Sequence, residues 1–104
     1  MSKSAIEGKA ALVTGASKGI GRAIALGLGQ MGVRVAVNYN SSAEGAAEVV
    51  DSITRGGVEA FAVKADVSKL EQVTGMVKKV GQEWGQVDIL VNNAGIIQDQ
   101  LLVR

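Results

Sequence analysis

The chain has 104 residues, a hydrophobic fraction of 47% and a formal charge of +1, from 11 Lys+Arg against 10 Asp+Glu. That length and apolar content fit one small packed domain, and a near-neutral balance without runs of like charge argues against a nucleic-acid or membrane surface. His and Cys are both absent, which removes disulfides, thiolate nucleophiles, iron–sulfur clusters and every His-based metal site or triad.

Pro is absent too, so punctuation falls to 14 glycines. Residues 9–14 read as a buried first strand around Ala10-Ala11-Leu12-Val13. Residues 19–31 follow as a helix with Ile20, Ala23, Ile24 and Met31 near one face, weakened by Gly27 and Gly29 and stopped at Gly32. Residues 33–37 (Val-Arg-Val-Ala-Val) are a second strand. Ser41-Ser42-Ala43-Glu44 matches a capping box, and the helix after it carries Ala43, Ala46, Ala47, Val50 and Ile53 at helical spacing before Gly56-Gly57. Residues 58–65 form a third strand. A second capping box, Ser68-Lys69-Leu70-Glu71, opens a helix whose stripe is Leu70, Val73, Val77, Val80 and Trp84, read as core. Residues 87–91 are a fourth strand, ended by Asn92-Asn93-Ala94-Gly95. The order β-α-β-α-β-α-β predicts an α/β fold with a parallel sheet and right-handed crossovers, with no linker or repeat. No stretch approaches the ~20 apolar residues of a membrane span. No apolar run follows Met1-Ser2-Lys3-Ser4-Ala5 as a signal peptide requires, and the absence of Cys fits an expected reducing, cytoplasmic setting.

The stretch Thr14-Gly15-Ala16-Ser17-Lys18-Gly19-Ile20-Gly21 carries the chemistry. It lies between a strand and a helix, where a glycine loop brings the backbone close to a pyrophosphate and aims helix N–H groups at it. Its spacing is G-x-x-x-G-x-G. Gly15 permits the turn off the strand, Gly19 admits the phosphates and Gly21 lets the helix pack tightly on the sheet. Lys18 reads either as a solvated surface lysine or as a partner of a further phosphate. An NAD site places an acid at the end of the second strand to hold the adenosine ribose 2′-OH. Here that place holds Asn38-Tyr39-Asn40-Ser41, with no acid before Glu44. Repulsion of a 2′-phosphate is thus absent and Lys18 attracts one, which favours NADP(H). Asp66 could face the adenine or cap the next helix. Asn92-Asn93-Ala94-Gly95 reads as a polar turn, or as a segment whose small residues admit a cofactor ribose while Asn93 pins neighbouring strands. Tyr39, the only tyrosine, has no lysine four residues on, because position 43 is Ala43.

Together these motifs resemble the short-chain dehydrogenase/reductase family across essentially the whole chain, and within it the bacterial 3-oxoacyl-[acyl-carrier-protein] reductases, whose pattern Gly8-Lys9 and Val37-Asn38-Tyr39-Asn40-Ser41-Ser42 also follow. The resemblance implies the three-layer Rossmann-type half of a doubly wound fold, strand order 3-2-1-4. It implies NADPH-dependent reduction of a 3-oxoacyl thioester to a 3-hydroxyacyl thioester; the same motifs also occur in sugar and steroid reductases of the family, and the other reading of the residues is a non-catalytic nucleotide-binding or assembly module. By position, Gly15, Ser17, Lys18, Gly19, Ile20 and Gly21 would hold the phosphates and the nicotinamide end. Asn40 and Lys18 would hold the 2′-phosphate, Asp66 and Val67 the adenine, and Asn93, Ala94 and Gly95 the adenine-side ribose and central backbone. Members of the family place a catalytic Asn, Ser and Tyr-x-x-x-Lys after the fourth strand, and no Tyr-x-x-x-Lys occurs in this sequence. Residues 1–104 are therefore expected to be a dinucleotide-binding N-terminal part without the catalytic C-terminal part. An acyl thioester would be a partner only with that part supplied. The fourth strand is then expected to present an apolar edge, Ile89-Leu90-Val91, and to promote self-association.

Overall fold

Ala10, Ala11, Leu12 and Val13 are all fully buried, as a strand of a parallel sheet covered on both faces must be. They form β1 (Ala10–Val13) of a computed structural model that describes residues 5–93. The chain continues through α1 (Gly19–Gln30), β2 (Arg34–Tyr39), α2 (Ala43–Arg55), β3 (Ala60–Lys64), α3 (Leu70–Trp84) and β4 (Ile89–Val91). All strand pairs are parallel and their order is β3-β2-β1-β4, as expected.

Alternating strand residues separate two apolar clusters. Ala11, Val13, Val35 and Val37 pack with Ala25 of α1 and with Ala46, Val49 and Ile53 of α2. Leu12, Ala36, Val63 and Ala65 pack with Val73, Met76 and Val80 of α3. This gives three layers, with α1 and α2 on one face of the sheet and α3 on the other. β1 and β2 lie at the middle and carry the deepest side chains.

The strand ends differ from the sequence reading. β2 runs on through Asn38 and Tyr39, because both continue the pairing with β3 at Val63 and Lys64. β4 begins only at Ile89. Before it, Asp88 is held to β1 in two ways: its N–H donates to the Ala10 carbonyl (2.8 Å), and its carboxylate accepts from the Ala10 N–H (2.9 Å). That backbone hydrogen bond, supported by Gln86, Lys9 and Arg34 and opposed by desolvation, holds the Asp88 carboxyl below its ordinary value. Asp88 thereby sets the β1–β4 register.

The helix faces also need correction. α1 buries Gly21, Ala25 and Gly29, and Ile20 is 73% exposed with Met31 also on the surface. The reason is close approach. A Cβ at Gly29 would lie 2.9 Å from Ile53 Cγ1, so the helix meets α2 along small residues; Ile24, Leu26 and Leu28 stay partly buried against the core, while Ile20 and Met31 face outward. In α2 the buried set is Ala46, Val49 and Ile53, while Ala43 and Ala47 are exposed. In α3, Leu70 stands 56% exposed and Met76 takes a core position instead. Trp84 is half-buried rather than core. Its ring packs on Phe61 (4.8 Å between centroids), its indole N–H donates to Glu59 Oε1 (2.9 Å), and the Arg34 guanidinium lies over it (5.3 Å).

Neither capping box forms as spaced. α2 starts at Ala43, so Ser42 is the N-cap and makes no side-chain cap bond. The third helical position, where a box needs Glu or Gln, is then Gly45. α3 is capped at Lys69, again without a side-chain cap bond. Its third position is Gln72, whose Oε1 accepts from the Asp66 N–H (2.8 Å).

Gly27 offers a direct test of the α1 environment. It is helical, and a Cβ there would meet nothing within 4 Å. Gly27→Ala is expected to raise stability by roughly 0.5–1 kcal/mol by relieving the glycine helix penalty. A thermal melt should show the midpoint moving up, by about 4–8 °C per kcal/mol for a domain of this size.

Candidate functional site

In a parallel sheet all C-terminal strand ends fall along one edge, and ligands bind in the crevice where the strand order reverses. Here the order reverses between β1 and β4. The glycine loop leaves β1 at that point, and the ends of β2, β3 and β4 bring Asn40, Asp66 and Asn93 to the same edge.

The loop is built from below by hydrogen bonds. Thr14 is buried, and its N–H and hydroxyl both donate to the Val91 carbonyl (3.0 and 3.4 Å). Gly15 turns the chain in the left-handed region (φ 59°), where a side chain would be strained. Its N–H donates to Asn38 Oδ1 (3.1 Å), and its carbonyl accepts from Asn93 Nδ2 (3.2 Å). Asn93 thus ties the end of β4 to the loop after β1. Ala16, fully buried, donates its N–H to the Asn38 carbonyl (2.8 Å). Ser17 is buried beside the first turn of α2, where a Cβ at Gly45 would meet the Ser17 carbonyl oxygen.

Beyond Ser17 the surface opens. Lys18 is exposed in extended conformation at the N-cap of α1 and makes no side-chain cap bond. Gly19 has φ 63°, and a Cβ there would meet nothing within 4 Å. A first turn of this kind presents N–H groups without intrahelical partners, together with the positive end of the helix dipole. α1 has no acidic residue in that turn to neutralise it. Gly21 is buried and touches the Gly15 carbonyl, so the helix starts as close to the loop as backbone atoms allow. The open cradle at Gly19, the uncapped amides and Lys18 form a donor set that fits an anionic phosphate bridge.

Asn40 and Ser41 are exposed just past β2, and the nearest carboxylate along the chain is the exposed Glu44 in α2. Asp66 and Val67 are half-buried at the end of β3. The Asp66 carboxylate accepts from the Ser68 hydroxyl (2.6 Å) and the Ser68 N–H (3.0 Å), which hold it below its ordinary value with help from Lys69 and against desolvation. It therefore closes the turn into α3, and it stands at the crevice edge as well. Ala94 and Gly95 lie outside the described residues.

Two contributors were not singled out from sequence. Asn38 lies at the buried heart of the loop contacts, and its signal is visible in retrospect as a lone polar residue ending the apolar run Val35-Ala36-Val37. Gly45 carries no local signal, because its constraint is the distant Ser17.

Parallel β-α-β units with a glycine loop at the reversal of strand order define a Rossmann-type fold. The sequence model of the short chain dehydrogenase family matches residues 9–103, and the chain belongs to that family. It is 55% identical over 96 residues to the 3-oxoacyl-[acyl-carrier-protein] reductase FabG of Staphylococcus epidermidis, spanning 92% of this chain and 39% of that protein. It is 44% identical over 97 residues to the trihydroxynaphthalene reductase of Colletotrichum orbiculare, spanning 93% of this chain and 34% of that protein. Among solved structures it resembles a short chain dehydrogenase from Burkholderia cenocepacia in complex with NADP, with a TM-score of 0.85 and 46% identity over 91% of this chain and 39% of that one. The chain thus spans about two-fifths of the length of the FabG protein it matches.

Proposed function

We propose that this chain is the NADPH-binding part of a ketoreductase that converts 3-oxoacyl thioesters to 3-hydroxyacyl thioesters. The observation that carries this is the glycine loop itself: an uncapped α1, open space before Gly19, Lys18 at its mouth and no acid at the end of β2. Gly15, Ser17, Lys18, Gly19, Ile20 and Gly21 hold the phosphates and the nicotinamide end, and Lys18 with Asn40 holds the 2′-phosphate. Asp66 and Val67 flank the adenine, and Asn93, Ala94 and Gly95 line the ribose side. When bound, the dinucleotide supplies the hydride for carbonyl reduction. The matching proton requires a general acid near the carbonyl. Tyr39 does not serve, because it stands half-buried at the end of β2 and the position four residues on is Ala43, so the paired lysine of the family's Tyr-x-x-x-Lys motif is not beside it. The 104 residues therefore bind cofactor without turnover, in a cytoplasmic setting. Substrate reduction requires a proton donor from outside them. No helix among the described residues is long and apolar enough to cross a membrane.

Fluorescence titration with NADPH and NADH, followed by an acetoacetyl thioester assay on the same sample, tests this. Saturable binding that prefers NADPH, with no thioester-dependent oxidation, is the expected result. Failure to bind either nucleotide overturns the assignment, and turnover overturns the missing acid. The apolar β4, paired only with β1 among the described residues, extends the proposal to self-association. Light scattering should report a species larger than a monomer, and a monomer persisting at high concentration rejects that part.

A further inference from the structure

Asn38 is 2% exposed and uses every polar atom of its side chain. Its Oδ1 accepts from Gly15 N–H (3.1 Å). Its Nδ2 donates to the carbonyls of Val63 (3.2 Å), Ala65 (3.2 Å) and Tyr39 (3.4 Å). Its own backbone carbonyl accepts from Ala16 N–H (2.8 Å). A carboxamide is the side chain that offers an acceptor on one side and two donors on the other. Aspartate would set a carboxylate against three carbonyls, and leucine would leave the Gly15 N–H unpaired.

We propose that Asn38 is a positioning residue for the dinucleotide: it occupies the Gly15 and Ala16 amides from beneath, so that these two N–H groups are not donors to the ligand, Gly15 contributes only its close approach, and the phosphates are left to the amides further along, into the first turn of α1. This rests on the NADPH-binding reading. The inference concerns which backbone groups face the ligand. Two consecutive N–H groups of the glycine loop are committed inward before any ligand arrives. The Gly15 carbonyl is committed too, to Asn93 on the other side. The loop is thereby fixed from β2, β3 and β4 at once. Its conformation does not have to be selected on binding, which lowers the ordering cost the ligand must offset.

The wild-type chain supplies the first test, by amide NMR. The Gly15 and Ala16 amides should be protected from exchange without nucleotide and stay protected with NADPH, while the Ile20 and Gly21 amides shift on binding. Unprotected Gly15 and Ala16 amides, or their release when NADPH binds, overturn the proposal. The second test uses Asn38→Ala and Asn38→Leu under conditions where circular dichroism shows each folded. NADPH affinity should fall by about ten-fold or more, on the scale of one lost hydrogen bond compounded by loop disorder. Adenosine 2′-monophosphate, which has no pyrophosphate, should bind each variant as it binds wild type. Unchanged NADPH affinity, or an equal loss for both ligands, shows a merely structural asparagine. Should the wild-type chain bind no NADPH, the functional reading falls and this inference with it. Should it bind while the variants bind equally well, only this inference falls.

Discussion

Gly21→Ala is expected to abolish measurable NADPH binding and to lower stability by about 2 kcal/mol. A Cβ at this position would overlap the Gly15 carbonyl oxygen and lie 2.8 Å from Asn93 Nδ2. The first obstacle is backbone, held in place by Asn38 and Asn93, so it cannot rotate aside as a flexible side chain would. Overpacking costs roughly 1–3 kcal/mol, and an overlap with fixed backbone sits at the top of that range, about 3 kcal/mol. The helix-propensity gain of alanine returns about 1 kcal/mol. What remains must come from moving the α1 terminus away from the loop, and with it the amides proposed to hold the pyrophosphate. Urea denaturation and NADPH titration of the same variant measure the two effects. The paired control is Gly27→Ala, an identical change six residues further along the helix, expected to stabilise. Equal behaviour of the two variants would reject the packing argument.

That contrast also explains which parts of the molecule could be read in advance. The alternation of strands and helices, and with it a parallel sheet, was legible because β1 and β2 are near-continuous apolar runs and α2 and α3 carry clear polar faces, whereas the strand order and the three layers came with the family resemblance. The α1 face was not legible. Sequence periodicity weighs residues by hydrophobicity, so it selected Ile20, Ala23, Ile24 and Met31, of which Ile24 alone packs against the core. The structure selects by thickness, placing Gly21, Ala25 and Gly29 inward because Ile53 and the Gly15 carbonyl leave no room for more.

The caps failed for a related reason. Both boxes were read one residue too early. At α2 the chain must approach Ser17, which places Gly45 at the third helical position and moves the N-cap to Ser42. At α3 the capping chemistry was present but dealt to other residues, with Asp66 and Gln72 filling roles assigned to Ser68 and Glu71. Of the candidate site, the loop glycines could be read because a turn, an opening and a close approach each demand glycine locally. Asn38 and Gly45 could not, since each answers to residues more than twenty positions away.

Lys18→Ala is expected to weaken NADPH by about 1–3 kcal/mol, the range of a hydrogen bond to a charged group, and to leave NADH nearly unchanged. The two nucleotides differ only by the 2′-phosphate, so the ratio of the two losses isolates the contact from any effect on the loop. Lys18 sits in ordinary extended backbone outside the hydrogen-bonded core of the loop, and its side chain is exposed, so truncation removes charge without removing packing. Exposure also makes the contact salt-sensitive, because exposed charges are screened over about 10 Å at 0.1 M ionic strength. The NADPH preference of the wild-type chain should therefore narrow as salt is raised, and the preference of Lys18→Ala should change little. Equal losses for the two cofactors would move Lys18 from the 2′-phosphate to the pyrophosphate. The preference for NADPH would then have to come from Asn40 and its neighbours at the end of β2, where no carboxylate stands to repel the extra charge.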